Sequence, residues 1–127
     1  MRRRLRDARV GRLATVTADG RPHVVPCCFV LDGDTVYTAV DDVKPKATPA
    51  LRRLENIAAN PATSLLVDHY EEDWSALWWI RVDGRATVHP QHAEAIALVT
   101  AKYDQYRRRP PPGPVVVLEI ERWRAWP

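Results

Sequence analysis

Short apolar segments bounded by turn residues fill the first third of the chain. They predict three strands, over residues 10–17, 21–30 and 35–40. The pairs Asp19-Gly20 and Asp32-Gly33 separate these strands. An Asp-Gly pair between apolar runs is typical of a type I′ hairpin, in which both central residues need positive φ. The segment is therefore predicted to be a three-stranded antiparallel meander.

The second strand contains two prolines, Pro22 and Pro26. Because proline has no N–H group to donate to a neighbouring strand, we expect this strand at a sheet edge or at a bulge. A bulged strand leaves backbone groups free to bind a ligand.

A helical period begins after residue 47. Thr48 is predicted as the N-cap, Pro49 suits the first helical position, and Asn60-Pro61 ends the helix. One apolar stripe is formed by Leu51, Leu54, Ile57 and Ala58.

The rest of the chain adds strands and one more helix. Strands are predicted over residues 63–69, 74–82, 85–89 and 115–121, with a turn at Asp83-Gly84. The second helix starts near Pro90, and its buried face is predicted to carry Ala93, Ile96, Ala97, Thr100 and Tyr103. Because strands and helices do not alternate as βαβ units, we expect a mainly β (α+β) antiparallel barrel with flanking helices. The length of the chain suits a single domain over residues 1–127.

The second strand is apolar on both faces. His23, Val25, Cys27 and Phe29 point to one side, and the residues between them carry no charge either. An antiparallel strand of this kind needs cover on both sides, and two short helices cannot cover the whole sheet. The pattern therefore predicts a homodimer.

Composition and charge narrow the function classes. The net charge is +3, but no zinc finger or RNA-binding aromatic motif accompanies the arginines, so we interpret them as surface charge. No apolar run reaches the roughly 20 residues of a membrane helix, and the N-terminal arginines precede no signal-peptide core. We expect a cytoplasmic protein that binds no nucleic acid and does not insert into membranes.

No metal site is predicted. Cys27 and Cys28 are neighbours whose side chains point to opposite faces of a strand, so we interpret them as reduced, buried thiols. His89 and His92 lack a third ligand at a useful spacing.

The basic turn before the first helix is the strongest candidate for chemistry. Lys44, Pro45 and Lys46 precede a helix N-terminus, whose partial positive charge and free N–H groups suit a phosphate, and Arg52 and Arg53 could extend the patch. The alternative is a solvated basic turn. No nucleophile elbow, Walker loop or G-x-G-x-x-G motif is present, so a bound cofactor would supply the chemistry. The catalytic residues stay unknown.

Trp74 and Ser75 are the next candidates, because they stand where an acidic loop meets a strand. For the tryptophans as a group, packing in the core and at a dimer interface is the alternative.

The sequence also resembles the pyridoxamine-phosphate-oxidase-like split-barrel family. The similarity lies in residues 12–16 and 19–26, then Lys44-Pro45-Lys46, Asn56-Ile57, Asn60-Pro61 and Trp74-Ser75. It is closest to the actinobacterial branch that uses the deazaflavin coenzyme F420 in place of FMN.

The resemblance implies a homodimer with two cofactor sites at the subunit interface. The deazaflavin ring would lie against His23, Val24, Val25 and Pro26 and against Thr38 and Val40. The phosphate would contact the Lys44–Lys46 turn and the following helix, including Arg52 and Asn56, and Trp74 and Ser75 would come from either subunit. The implied activity is hydride transfer between F420 and a small electron-poor substrate, such as a conjugated carbonyl. An FMN enzyme of the same fold and a non-catalytic F420 carrier are the alternatives.

Overall fold

The structure is a computed structural model that describes residues 1–40 and 48–127. Three of the predicted site residues, Lys44, Pro45 and Lys46, lie outside the described residues. The described helices are α1 (Arg2–Asp7), α2 (Thr48–Ala59), α3 (Ala93–Lys102) and α4 (Asp104–Arg108), with a 3₁₀ turn at Trp74–Ala76. The strands are β1 (Gly11–Val16), β2 (Pro22–Cys27), β3 (Val30–Asp32), β4 (Thr35–Ala39), β5 (Ala62–His69), β6 (Trp78–His89) and β7 (Val115–Trp126).

The seven described strands form one antiparallel sheet in the order β2-β1-β5-β6-β7-β4-β3. The sheet curls into a half-barrel, and the two edge strands, β2 and β3, follow each other directly along the chain. This confirms the predicted antiparallel barrel with flanking helices and the edge position of the proline-containing strand. The strand predicted over residues 21–30 is divided, because β2 ends at Cys27 and β3 begins at Val30.

Two apolar layers hold the sheet. The inner layer is centred on Phe29, which is fully buried, and on Leu13, Leu65 and Leu118. The outer layer packs α3 and α4 against β4 and β7 through Val99, Tyr103, Tyr106, Val115 and Val117. These helices contact β3, β4 and β7, so the outward face of β2, β1 and β5 stays outside that layer.

Helix α1 inserts one side chain into the inner layer, because Leu5 is fully buried. The arginines beside it make contacts within the chain. Arg2 donates to Gly33 and Asp34 at 2.9 and 2.6 Å, and the Arg4 guanidinium lies 5.0 Å from the centre of the Trp78 ring.

Several local predictions are wrong. Asp83-Gly84 is not a turn: it lies inside β6, at an irregularity in the pairing with β7. The hairpins are not type I′, because only the glycines of the two pairs have positive φ, 88° at Gly20 and 61° at Gly33. The predicted face of α3 is wrong in part: Ile96 and Tyr103 pack in the outer layer, but Ala93 and Ala97 are exposed, and Ala95 and Val99 are buried instead.

Candidate functional site

Strand β2 presents the predicted ring-binding residues on two faces. Val24 and Pro26 point outward and are exposed, Val24 to 60%, whereas His23 and Val25 point inward and are half-buried. Among the described strands β2 pairs only with β1, so its other side offers unpaired backbone groups to a ligand. An edge strand with an apolar outward face suits a flat ring that also needs backbone hydrogen bonds.

Helix α2 brings Asn56 to the same end of the sheet. Asn56 is 5% exposed, and its Nδ2 donates to Oγ1 of Thr15 at 3.1 Å. Thr15 is the register partner of His23 across β1 and β2. The His23 Nδ1 atom is buried and has no hydrogen-bond partner among the described residues. The structure therefore unites two predicted site residues, His23 and Asn56, around Thr15.

Arg53, one turn before Asn56, is the interior-facing arginine of α2. It is 9% exposed, and its Nε atom is buried without a hydrogen-bond partner in the described part of the chain. Burial raises the pKa of the nearby Cys27 thiol to about 11, and the charge of Arg53 opposes that rise. Arg52, the other arginine predicted to extend the basic patch, is exposed. The helical period could have identified Arg53 as the buried arginine, because Arg53 stands three residues before Asn56 and four residues before Ile57, on the same face of the helix.

The predicted contacts on β4 have structural partners already. Thr38 is 2% exposed, and its hydroxyl donates to the Cys28 carbonyl at 2.7 Å. Val40 is half-buried, and its N–H donates to the Pro114 carbonyl at 2.9 Å. These bonds fix the connection between β2 and β3 and the end of β4, so both residues stabilise the backbone around the site.

Trp74 and Ser75 lie at the opposite end of the sheet from His23. They follow the end of β5, whereas Thr15 and His23 stand beside its beginning, because Ala14 pairs with Ser64. The Asp73 carboxylate accepts from the Ser75 N–H and hydroxyl, which lowers the Asp73 pKa. Trp74 is 67% exposed. Within one chain the structure does not bring this pair together with His23 and Asn56.

The outward face of the sheet carries a charged network around Asp83. Its carboxylate accepts from Ser64 Oγ at 2.6 Å and from Arg81 Nε at 2.9 Å. Burial alone would raise the pKa of Asp83, but these bonds and the charge of Arg122 outweigh it and lower the pKa. The network lies in a shallow concavity of about 470 Å³ whose lining includes Ala14, Val16 and Pro22.

We expect Asp83→Asn to lower the free energy of unfolding at pH 7 by about 1–2 kcal/mol, because the native bonds favour the carboxylate. A lowered native pKa gives stability that is complete above the unfolded-state pKa and is lost as the pH falls through the native one. The deficit should therefore shrink below a pH of about 4. Urea unfolding at pH 7 and pH 3 measures it, and an equal deficit at both would contradict the prediction. Asp68→Asn is the control, since Asp68 forms an exposed ion pair with Arg12.

The described residues support neither a metal site nor a membrane-crossing helix. No group of three or more His, Cys, Asp or Glu side chains among them could hold a metal ion. Likewise, none of the helices in the described ranges is long and apolar enough to cross a membrane.

A curled antiparallel half-barrel with flanking helices is the architecture of a split-barrel protein. The chain belongs to the pyridoxamine 5′-phosphate oxidase family, whose model matches residues 1–127. Among curated proteins, no sequence matches it.

Solved structures support the fold. An FAD-binding protein from Mesorhizobium loti is 25% identical with a TM-score of 0.70, over 95% of this chain and 87% of that one. The heme storage protein HutZ from Vibrio cholerae is 19% identical with a TM-score of 0.72, over 98% and 89%. A heme binding protein from Mycobacterium smegmatis is 24% identical with a TM-score of 0.73, over 94% of this chain but 49% of that one. This chain thus spans about half the length of that last protein.

Proposed function

We propose that the chain is a cytoplasmic, homodimeric, F420-dependent oxidoreductase that transfers a hydride between the deazaflavin and a small electron-poor organic substrate. The observation that carries the proposal is the buried Arg53 guanidinium beside edge strand β2. A buried cation is costly unless it is paired, and its Nε atom has no hydrogen-bond partner among the described residues. An anionic cofactor group would supply that partner.

The remaining parts of the site fit the same ligand. Lys44 and Lys46 directly precede α2, so with Arg53 they would hold the phosphate. Backbone groups of residues 24–26 would orient the ring, and the unpartnered Nδ1 of His23 would donate to it or accept from it. When bound, the cofactor supplies the redox chemistry, and the protein orients the two rings and excludes water.

A second copy of the chain would complete the site. The outward face of β2, β1 and β5 lies outside the layer formed by α3 and α4, and it exposes Val24 and Pro26. Trp74 and Ser75 lie too far along the sheet to join His23 in one chain, but a partner could bring them to it. Such a dimer would hold two equivalent cofactor sites.

Flavin binding is the second candidate, and the likeness to an FAD-binding protein favours it. A carrier that binds F420 without turnover is the third, since the described residues show no acid–base pair beside β2.

The test is a titration of the purified protein with F420, FMN, FAD and hemin, each followed by the ligand's fluorescence or absorbance. We expect F420 to bind most tightly. Tighter binding of FMN or FAD would mean that the cofactor is a flavin and not F420. Binding of hemin alone would mean that the chain is a heme protein and not an oxidoreductase. If F420 binds, turnover with a quinone or a conjugated enone distinguishes an enzyme from a carrier.

A further inference from the structure

A separate pocket lies between α1 and α3, away from the proposed cofactor site. Its volume is about 530 Å³. Its lining combines apolar and charged side chains, namely Val30, Leu31, Leu98, Ala101, Arg6, Asp7, Arg9 and Lys102. None of these residues belongs to the set assigned to the cofactor.

Lys102 is one of the residues that line this pocket. Its Nζ atom donates to the Phe29 carbonyl at 2.8 Å and lies 4.1 Å from the centre of the Phe29 ring. The Tyr103 hydroxyl lies 3.0 Å from the same carbonyl. A neutral amine can keep one such donation and still present its lone pair to a ligand in the pocket.

Burial and a neighbouring arginine favour the neutral form of the Lys102 amine. Burial, and then the charge of Arg9, lower the pKa of Lys102 from 10.5 to about 8, while Cys28, Asp7 and Cys27 oppose the shift. Arg6 adds a further positive charge at the rim, and the Phe29 and Tyr103 rings favour the cation. A lysine with this pKa is neutral at pH 7 on the order of a hundred times more often than an ordinary one.

Arg6 and Arg9 would attract an anion to the same pocket. Arg9 is held in place, because it donates to the Lys102 carbonyl at 3.0 Å and lies over the Tyr103 ring. Arg6 is exposed and faces only the carboxylate of Asp7, at 3.4 Å, among the pairs found in the described chain. Their guanidinium groups can hold a carboxylate while Val30 and Leu98 contact the apolar part of a ligand.

We propose that Lys102 is a modification site for small anionic carbonyl compounds, namely aldehyde acids and 2-oxo acids. The amine lone pair attacks the carbonyl carbon and forms a C–N bond. The two amine protons and the carbonyl oxygen then leave as water, so that an imine remains and nothing is oxidised or reduced.

Trapping with glyoxylate and sodium cyanoborohydride tests the proposal, because cyanoborohydride reduces the imine to a stable carboxymethyl amine. Peptide mass spectrometry then compares Lys102 with Lys44 and Lys46, the only other lysines of the chain. Below pH 8 we expect labelling of Lys102 to be roughly tenfold faster, since a lower pKa also reduces the nucleophilicity of the amine. Equal labelling of the three lysines would overturn the proposal.

The Arg6→Gln variant tests whether the pocket recognises the carboxylate of the reagent. Arg6→Gln should slow labelling by glyoxylate several-fold and leave labelling by neutral propionaldehyde unchanged, whereas Arg85→Gln, outside the pocket, should alter neither. Equal rates for Arg6→Gln and the native protein with glyoxylate would refute the carboxylate contact. Because the pocket is separate from the cofactor site, these outcomes do not depend on whether F420 binds.

Discussion

Replacing Gly84 by alanine is expected to lower the free energy of unfolding by about 3 kcal/mol or more, because the added methyl group has no room. A Cβ atom at Gly84 would stand 1.9 Å from the Glu119 carbonyl oxygen, which belongs to the backbone and not to a side chain that can turn aside. The pairing of β6 with β7 is irregular at this point, so the change would force apart the two longest strands of the sheet. Urea unfolding followed by tryptophan fluorescence measures the loss.

Gly20→Ala is the matched control. Gly20 has a φ of 88°, but no atom lies within 4 Å of a Cβ built there. Alanine at Gly20 should therefore cost only about 1 kcal/mol, from backbone strain. If Gly84→Ala were no more destabilising than Gly20→Ala, β6 and β7 would not be in close contact at this position.

Removing both lysines of the basic turn is expected to weaken F420 binding by at least about a hundredfold, because each ion pair with a phosphate contributes about 1.5 kcal/mol or more. The variant is Lys44→Ala/Lys46→Ala, and the loss should be greater at low salt, where screening is least. A double change at Arg85 and Arg108 to alanine removes the same charge from two exposed arginines and serves as the control. Unchanged affinity in the lysine variant would place the phosphate elsewhere.

The Asp-Gly pairs show where local sequence reasoning works and where it stops. At residues 19–20 and 32–33 the apolar segments end, and the pair forms part of a hairpin. At Asp83-Gly84 the same pair lies in mid-strand, where glycine is needed because β7 approaches closely. The dipeptide alone cannot separate these cases, since the requirement comes from a strand more than thirty residues away.

The N-terminal helix was not predicted for a related reason. Residues 2–7 contain four arginines and one leucine, which have no helical apolar stripe. Helix α1 depends on tertiary contacts, because Leu5 fills the inner layer while Arg2 and Arg4 lie over Trp123 and Trp78. Cation–π contacts of this kind leave no periodic signal in a sequence.

Part of the candidate site could be predicted from the sequence, and part of it could not. The edge position of β2 followed from its prolines, and the structure unites His23 with Asn56 around Thr15. The sequence placed both Arg52 and Arg53 beside the basic turn but could not show which of them is buried, because two adjacent arginines differ only in the direction they face on a packed helix. The separation of Trp74 from His23 also required the register of β5, which depends on pairing across the sheet.

The most direct test of the account is sedimentation equilibrium of the protein with F420, recorded in the cofactor's own absorption band. The proposed site is shared between two chains, so the cofactor should sediment with a species of twice the chain mass and with two cofactors per dimer. Cofactor that sediments freely, or with a single chain, would contradict the interfacial deazaflavin site.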